Sequence, residues 1–138
     1  MDSISGQELY RWRQKARQQA IANDIDPHDV DWLLQTTTNL SSLSLRMGLF
    51  QNEIQVNSNK SLPELEQLWQ RRLQERFPVQ YLAETVFWRR FQLKVTPTVL
   101  IPRPETELII DIAQKANRNS NFSLEQNRHW IDMGTGSG

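Results

Sequence analysis

In Ile131-Asp132-Met133-Gly134-Thr135-Gly136-Ser137-Gly138 an apolar approach runs straight into alternating glycines. Trp130 to Met133 reads as a short buried strand. Gly134, Gly136 and Gly138 then supply a tight turn without side chains, so backbone amides there can come close to a ligand. A strand that delivers the chain to such a turn is how a nucleotide-type cofactor site opens, and it predicts the start of an α/β domain. The spacing is Gly-x-Gly-x-Gly, with Asp132 just ahead of it. A dinucleotide fold has Gly-x-Gly-x-x-Gly, whose third glycine would fall past Gly138.

Composition bounds what the rest can be. The chain has 138 residues, enough for a domain with a core, and its 16 basic and 16 acidic residues cancel. That balance argues against a mainly electrostatic attachment to nucleic acid or to a membrane. There is no cysteine, hence no disulfide framework and no thiolate metal site. His28 and His129 lie far apart and form no ligand pattern, so no metal is expected. The N-terminus has no apolar run and no stretch is long and apolar enough to span a bilayer, which leads to the expectation of a cytoplasmic protein.

Residues 1–77 read as a helical bundle. Ser5 and Glu8 have the spacing of a capping box, with Ile4 and Leu9 placed as a hydrophobic staple across it. Leu9, Trp12, Ala16 and Ala20 follow at helical spacing, and Arg11, Arg13, Lys15 and Arg17 fall on the polar faces, as a solvated surface or a partner-facing patch. Asp26 is placed to cap a second helix that starts at Pro27 and buries Val30, Leu33 and Leu34. Asp29 and Asp31 suit its first turn. With Asp24 and Asp26 they lack the glycine of a calcium loop. Thr36 to Ser44 reads as a loop, then a short helix with Leu40, Leu43, Leu45 and Leu49, then a polar connection from Gln51 to Lys60. Ser61 and Glu64 form a second capping box, and Leu62, Leu65, Leu68, Trp69 and Leu73 mark an amphipathic helix that stops before Pro78.

The pattern changes after Pro78. Trp88, Phe91, Leu93 and Val95 alternate as strands do, with Arg89-Arg90 as the bend of a hairpin. Three prolines, Pro97, Pro102 and Pro104, keep the next stretch extended. Helix resumes after Pro104, with Glu105 and Glu107 in its first turn and Leu108, Ile109, Ile112 and Ala116 as its buried stripe. Asn117 to Arg128 is a polar loop that leads to the strand before the glycines.

Pro78-Val79-Gln80-Tyr81-Leu82, Lys94-Val95-Thr96-Pro97 and Ile101-Pro102-Arg103-Pro104-Glu105-Thr106-Glu107 together resemble the signature that precedes the catalytic domain of the peptide chain release factor N(5)-glutamine methyltransferases. Asp132 to Gly138 resembles the first S-adenosylmethionine motif of that family, at the expected distance downstream. The Ile-Pro-Arg-Pro-Glu-Thr-Glu run is the specific part, because a glycine loop is shared by many methyltransferases. Glu84 and Arg90 depart from the pattern where glycine is common, which bears on the hairpin turn.

The resemblance implies an architecture and a chemistry. Residues 1–77 would be a helical domain that docks the substrate, 78–103 a β-hairpin and proline-rich linker, and 104–138 the start of an incomplete Rossmann-like methyltransferase domain. Asp132, Gly134, Thr135, Gly136, Ser137 and Gly138 would bind S-adenosyl-L-methionine, with Arg103, Glu105 and Glu107 beside the site. The partner would be a class 1 release factor, methylated on the glutamine of its Gly-Gly-Gln motif, with no direct nucleic-acid binding and no membrane. The family's Asn-Pro-Pro-Tyr motif, which holds the glutamine amide, does not occur in these residues. The expectation is therefore an N-terminal half, inactive alone and with no catalytic residue of its own. Two other readings share these features: a non-catalytic release-factor-binding module, and a methyltransferase of another substrate such as nucleic acid.

Overall fold

A computed structural model describes residues 2–119. The chain divides into two compact units, with the boundary between Ala83 and Glu84. The strand and glycine turn at 130–138 lie outside the described residues.

The first unit begins with a short strand, β1 (Asp2–Ile4), which leads into the helix α1 (Gly6–Ala22). The staple residues Ile4 and Leu9 are both buried. The capping box at Ser5 does not form, because the Ser5 side chain makes no cap bond. The amide of Gly6 donates instead to the carbonyl of Glu53 at 3.1 Å, so the entry to α1 is fixed by the neighbouring backbone. The next helix, α2 (His28–Thr37), has Pro27 rather than Asp26 at its N-cap, and the Asp26 carboxylate, one residue further back, accepts the His28 amide at 2.9 Å. That bond comes first among the causes that hold the Asp26 carboxyl below its ordinary value. Val30, Leu33 and Leu34 are fully buried.

The helix runs further into the threonines than their propensity predicts. The hydroxyls of Thr36, Thr37 and Thr38 bond back to carbonyls of the preceding turn, at Trp32 to Leu34. Such back-bonding lets hydroxyl side chains end a helix from within. Ser41 then caps α3 (Ser42–Met47), which closes at Gly48 in the left-handed region, as a helix C-terminus favours. A 3₁₀ turn, Leu49–Asn52, follows. Leu40 and Leu45 are buried, whereas Leu43 and Leu49 are exposed.

The polar connection holds a strand, β2 (Val56–Ser58), antiparallel to β1 with Ile4 opposite Val56. Thr38 bridges to Ser58 on the other side. The amphipathic helix α4 (Leu62–Glu75) has the full capping box of Ser61 and Glu64. The backbone and side-chain bonds from Ser61 hold the Glu64 carboxyl below its ordinary value. Leu65 and Trp69 are fully buried, with Leu62, Leu68 and Leu73 packed partly against the same core. A single turn, α5 (Val79–Leu82), completes the unit and adds Val79 to that core.

The second unit opens with the hairpin of β3 (Thr85–Trp88) and β4 (Phe91–Lys94), paired from Thr85–Lys94 to Trp88–Phe91. Arg89 and Arg90 form its turn, as the sequence predicts. Glu84 sits at the base with a φ of 52°, its carbonyl accepting the Val95 amide at 3.1 Å. A residue with a Cβ is disfavoured in this left-handed region and glycine is not. Glu84→Gly is therefore expected to stabilise the hairpin by about 1 kcal/mol. Slower exchange of the Val95 amide would register the gain, and faster exchange would show that the Glu84 side chain holds the turn.

Helix resumes after Pro104, first as the 3₁₀ turn Pro104–Thr106 and then as α6 (Glu107–Asn119). The buried stripe expected on α6 is not buried. Leu108, Ile109 and Ile112 are 61%, 61% and 66% exposed, and Ala116 is exposed as well. Hydrophobic periodicity marks the face that needs cover but not the element that provides it. Among the described residues of this unit, nothing covers that face.

Candidate functional site

The proline-rich run carries the candidate site residues that fall within the described part of the chain. Arg103 is extended (φ −87°, ψ 142°), as a residue before proline must be, and Pro104 opens the 3₁₀ turn. The Thr106 amide donates to the Arg103 carbonyl at 3.1 Å, closing that turn. Further back, the Val99 amide donates to the Thr96 carbonyl at 3.0 Å, and the Thr96 and Thr98 hydroxyls share a bond of 2.8 Å. A chain with proline on either side of Arg103 and these local bonds has little freedom to lose. It presents Arg103 and Glu105 to solvent as one cation and one anion on the same short segment.

Glu107 is not placed like the other two. It is half-buried, and its carboxylate Oε1 accepts the backbone amide of Arg89 at 3.1 Å. The Arg89 guanidinium reaches the same helix, donating to the Glu107 carbonyl at 3.1 Å and to Asp111 Oδ1 at 2.9 Å. Glu107 thus holds the hairpin turn, whereas Arg103 and Glu105 face outward. The Arg89–Asp111 pair does not stand out in the sequence, because the relation between them depends on the fold and not on spacing. Asp132, Gly134, Thr135, Gly136, Ser137 and Gly138 lie outside the described residues.

The basic residues of α1 do not form a free patch. Arg13 is only 8% exposed and makes a bidentate pair with Asp31, Nε to Oδ1 at 2.6 Å and Nη2 to Oδ2 at 3.1 Å. Arg17 donates to the same carboxylate at 2.8 Å. Lys15 lies 3.7 Å from Glu66. Burial pushes the Glu66 carboxyl up, but bonds from Gln70, Trp12 and Lys15 outweigh it and leave it below its ordinary value. Asp29 pairs with Arg72 at 2.8 Å. Most of this charge therefore joins α1, α2 and α4, where the sequence pattern predicts a solvated or partner-facing surface. No helix among the described residues is long and apolar enough to cross a membrane.

Comparison with known proteins gives a consistent result along the chain. The release factor glutamine methyltransferase of Synechocystis sp. is 45% identical over 135 residues, which is 98% of this chain and 44% of that protein. The protein of the same name from Gloeobacter violaceus is 39% identical over 127 residues, 92% of this chain and 41% of its own length. The one from Thermosynechococcus vestitus is 37% identical over 137 residues, 98% and 45% respectively. The chain thus spans less than half the length of these curated relatives. No protein-family model and no solved structure matches it. Likeness to three such relatives over nearly every residue places the chain in the release factor glutamine methyltransferase family, in the N-terminal part of its members.

Proposed function

We propose that this chain is part of an enzyme that transfers a methyl group from S-adenosyl-L-methionine to the side-chain nitrogen of the glutamine in the Gly-Gly-Gln motif of class 1 release factors. The observation that carries the reading is 45% identity across 98% of the chain to a protein named for that activity. The Ile101–Glu107 run, rigid and solvent-facing at Arg103 and Glu105, supports it. An amide nitrogen is a poor nucleophile, so the methyl donor must be the activated partner, and its sulfonium supplies that reactivity when bound. The protein's part is to hold the amide in line and to stabilise charge developing on it.

In this reading residues 1–77 dock the release factor, 78–103 link, and 104–138 begin a Rossmann-like methyltransferase domain. Gly134, Gly136 and Gly138, together with Thr135, would hold the methionine and ribose portions of the cofactor. Asp132 and Ser137 would be polar partners of its amino acid end. Arg103, Glu105 and Glu107 flank the site, and the enzyme works in the cytoplasm. A chimaera tests this directly: these 138 residues replace the matching segment of the Synechocystis protein. The chimaera is expected to bind S-adenosylmethionine in a calorimeter and to methylate a purified release factor. Gly136→Val is expected to abolish the binding heat and leave helical circular dichroism unchanged, since a side chain there blocks close approach of the backbone. A folded chimaera that binds cofactor but leaves release factors unmethylated would sink the substrate assignment. Normal affinity in the Gly136→Val variant would sink the glycine-loop assignment.

A further inference from the structure

We propose that Arg89 is a positioning residue, a clamp that ties the turn of the β3–β4 hairpin to the start of α6 and so holds the Val95–Thr106 segment, with Arg103 and Glu105 on it, in one arrangement. Arg89 has a φ of 52°, where glycine would fit without strain. A turn alone gives no reason for arginine at that position. The contacts of the residue give one. Its amide donates to Glu107 Oε1, its Nη1 to the Glu107 carbonyl and its Nη2 to Asp111 Oδ1, at 3.1, 3.1 and 2.9 Å. Glu107 and Asp111 are one helical turn apart and lie on one face of α6. A single side chain therefore grips the helix at two levels, and the left-handed backbone of the turn turns its own amide toward the same helix.

The consequence reaches the segment between the two anchors. The chain leaves the hairpin at Val95, whose amide is bonded to Glu84, and enters α6 at Glu107, which is bonded to Arg89. Both ends of the proline-rich run are thus fastened to the same hairpin, and the run is a closed loop. Closing a loop removes conformations that an open one would explore. The internal bonds at Val99 and Thr106 are local and stiffen the run without fixing its two ends. Arg89 is the tie between them. The use of Arg103 and Glu105 beside a methyl-transfer site rests on the proposed function, but the clamp does not.

Amide hydrogen exchange on the 138-residue chain tests it, since exchange reports local opening without regard to methyl transfer. In Arg89→Gly the turn is relaxed, so the β3–β4 ladder amides are expected to exchange at the same rate or more slowly. The amides from Thr106 to Ile112 are expected to exchange about two- to five-fold faster, the modest range set by partly exposed ion pairs. Asp111→Asn is expected to give a smaller acceleration there with the hairpin untouched. Arg89→Lys, which keeps the charge and loses the fork, is expected to restore part of the protection. Unchanged exchange from Thr106 to Ile112 in both Arg89→Gly and Asp111→Asn would overturn the proposal. Equal acceleration of hairpin and helix in Arg89→Gly would also overturn it, because that is the mark of a residue that only shapes the turn.

Discussion

Replacing Asp31 with alanine is expected to destabilise the helical unit by about 3–5 kcal/mol, the range for removing one partner of a buried ion pair. The carboxylate accepts from Arg13 and Arg17 together. Their exposures separate the two contributions. Arg17 keeps 31% of its side chain in solvent and can rehydrate when the partner goes. Arg13 keeps 9% and lies on the face of α1 that also buries Trp12 and Ala16. Without Asp31 its guanidinium is a buried charge with no counter-ion, and that is the main loss. Arg17→Ala is accordingly expected to cost about 1 kcal/mol or less. The double replacement Arg13→Met with Asp31→Leu removes both charges and is expected to recover most of the stability, because apolar groups of similar volume can replace a buried pair. Urea unfolding of the four proteins measures all of this. A loss below about 1 kcal/mol in Asp31→Ala would mean that water reaches Arg13 and that the network is a surface feature.

That network shows where sequence reasoning stops. The helices α1, α2 and α4 are legible because their signals are local: a staple at Ile4 and Leu9, a carboxylate at Asp26 next to Pro27, a capping box at Ser61 and Glu64. Leucine and tryptophan at helical spacing give the core, and Leu33, Leu65 and Trp69 are fully buried. The ion pairs are not local. Four cations along α1 look alike in sequence, and only packing against α2 separates Arg13 from Arg11. The β1–β2 pair is hidden for the same reason, since each strand has three residues and its partner is some fifty residues away. For α6 the apolar face is legible, but its occupant is not. In the candidate site, the run from Ile101 to Glu107 is legible through its prolines and through family resemblance. That Glu107 serves the hairpin through Arg89 becomes visible only once the turn and the helix are placed in space.

Gly6 is where local propensity and packing make opposite forecasts, so its replacement is informative. Glycine inside a helix costs roughly 0.5–1 kcal/mol relative to alanine, and at Gly6, the first residue of α1, that is an upper bound, so propensity alone predicts that Gly6→Ala slightly stabilises the helix. Packing predicts the reverse. A Cβ at Gly6 would lie 2.0 Å from the Phe50 carbonyl oxygen and 2.6 Å from that of Glu53. Both atoms are backbone, so neither can rotate away. Relief would have to move the 3₁₀ turn at Leu49–Asn52, which carries the buried Phe50, and break the Gly6–Glu53 hydrogen bond. The expected loss is more than about 3 kcal/mol, at or beyond the upper end for overpacking. Gly48→Ala is the control. Gly48 has a φ of 65°, and a Cβ there would sit 3.3 Å from a ring carbon of Tyr10, a side chain with room to adjust. Its cost is expected to be conformational, about 1–2 kcal/mol. Thermal unfolding of the two variants ranks them, with Gly6→Ala much the worse. If Gly6→Ala matches or exceeds the stability of the parent, then α1 does not approach the Leu49–Asn52 turn this closely, and the backbone bond that replaces the missing Ser5 cap is not what fixes the start of the helix.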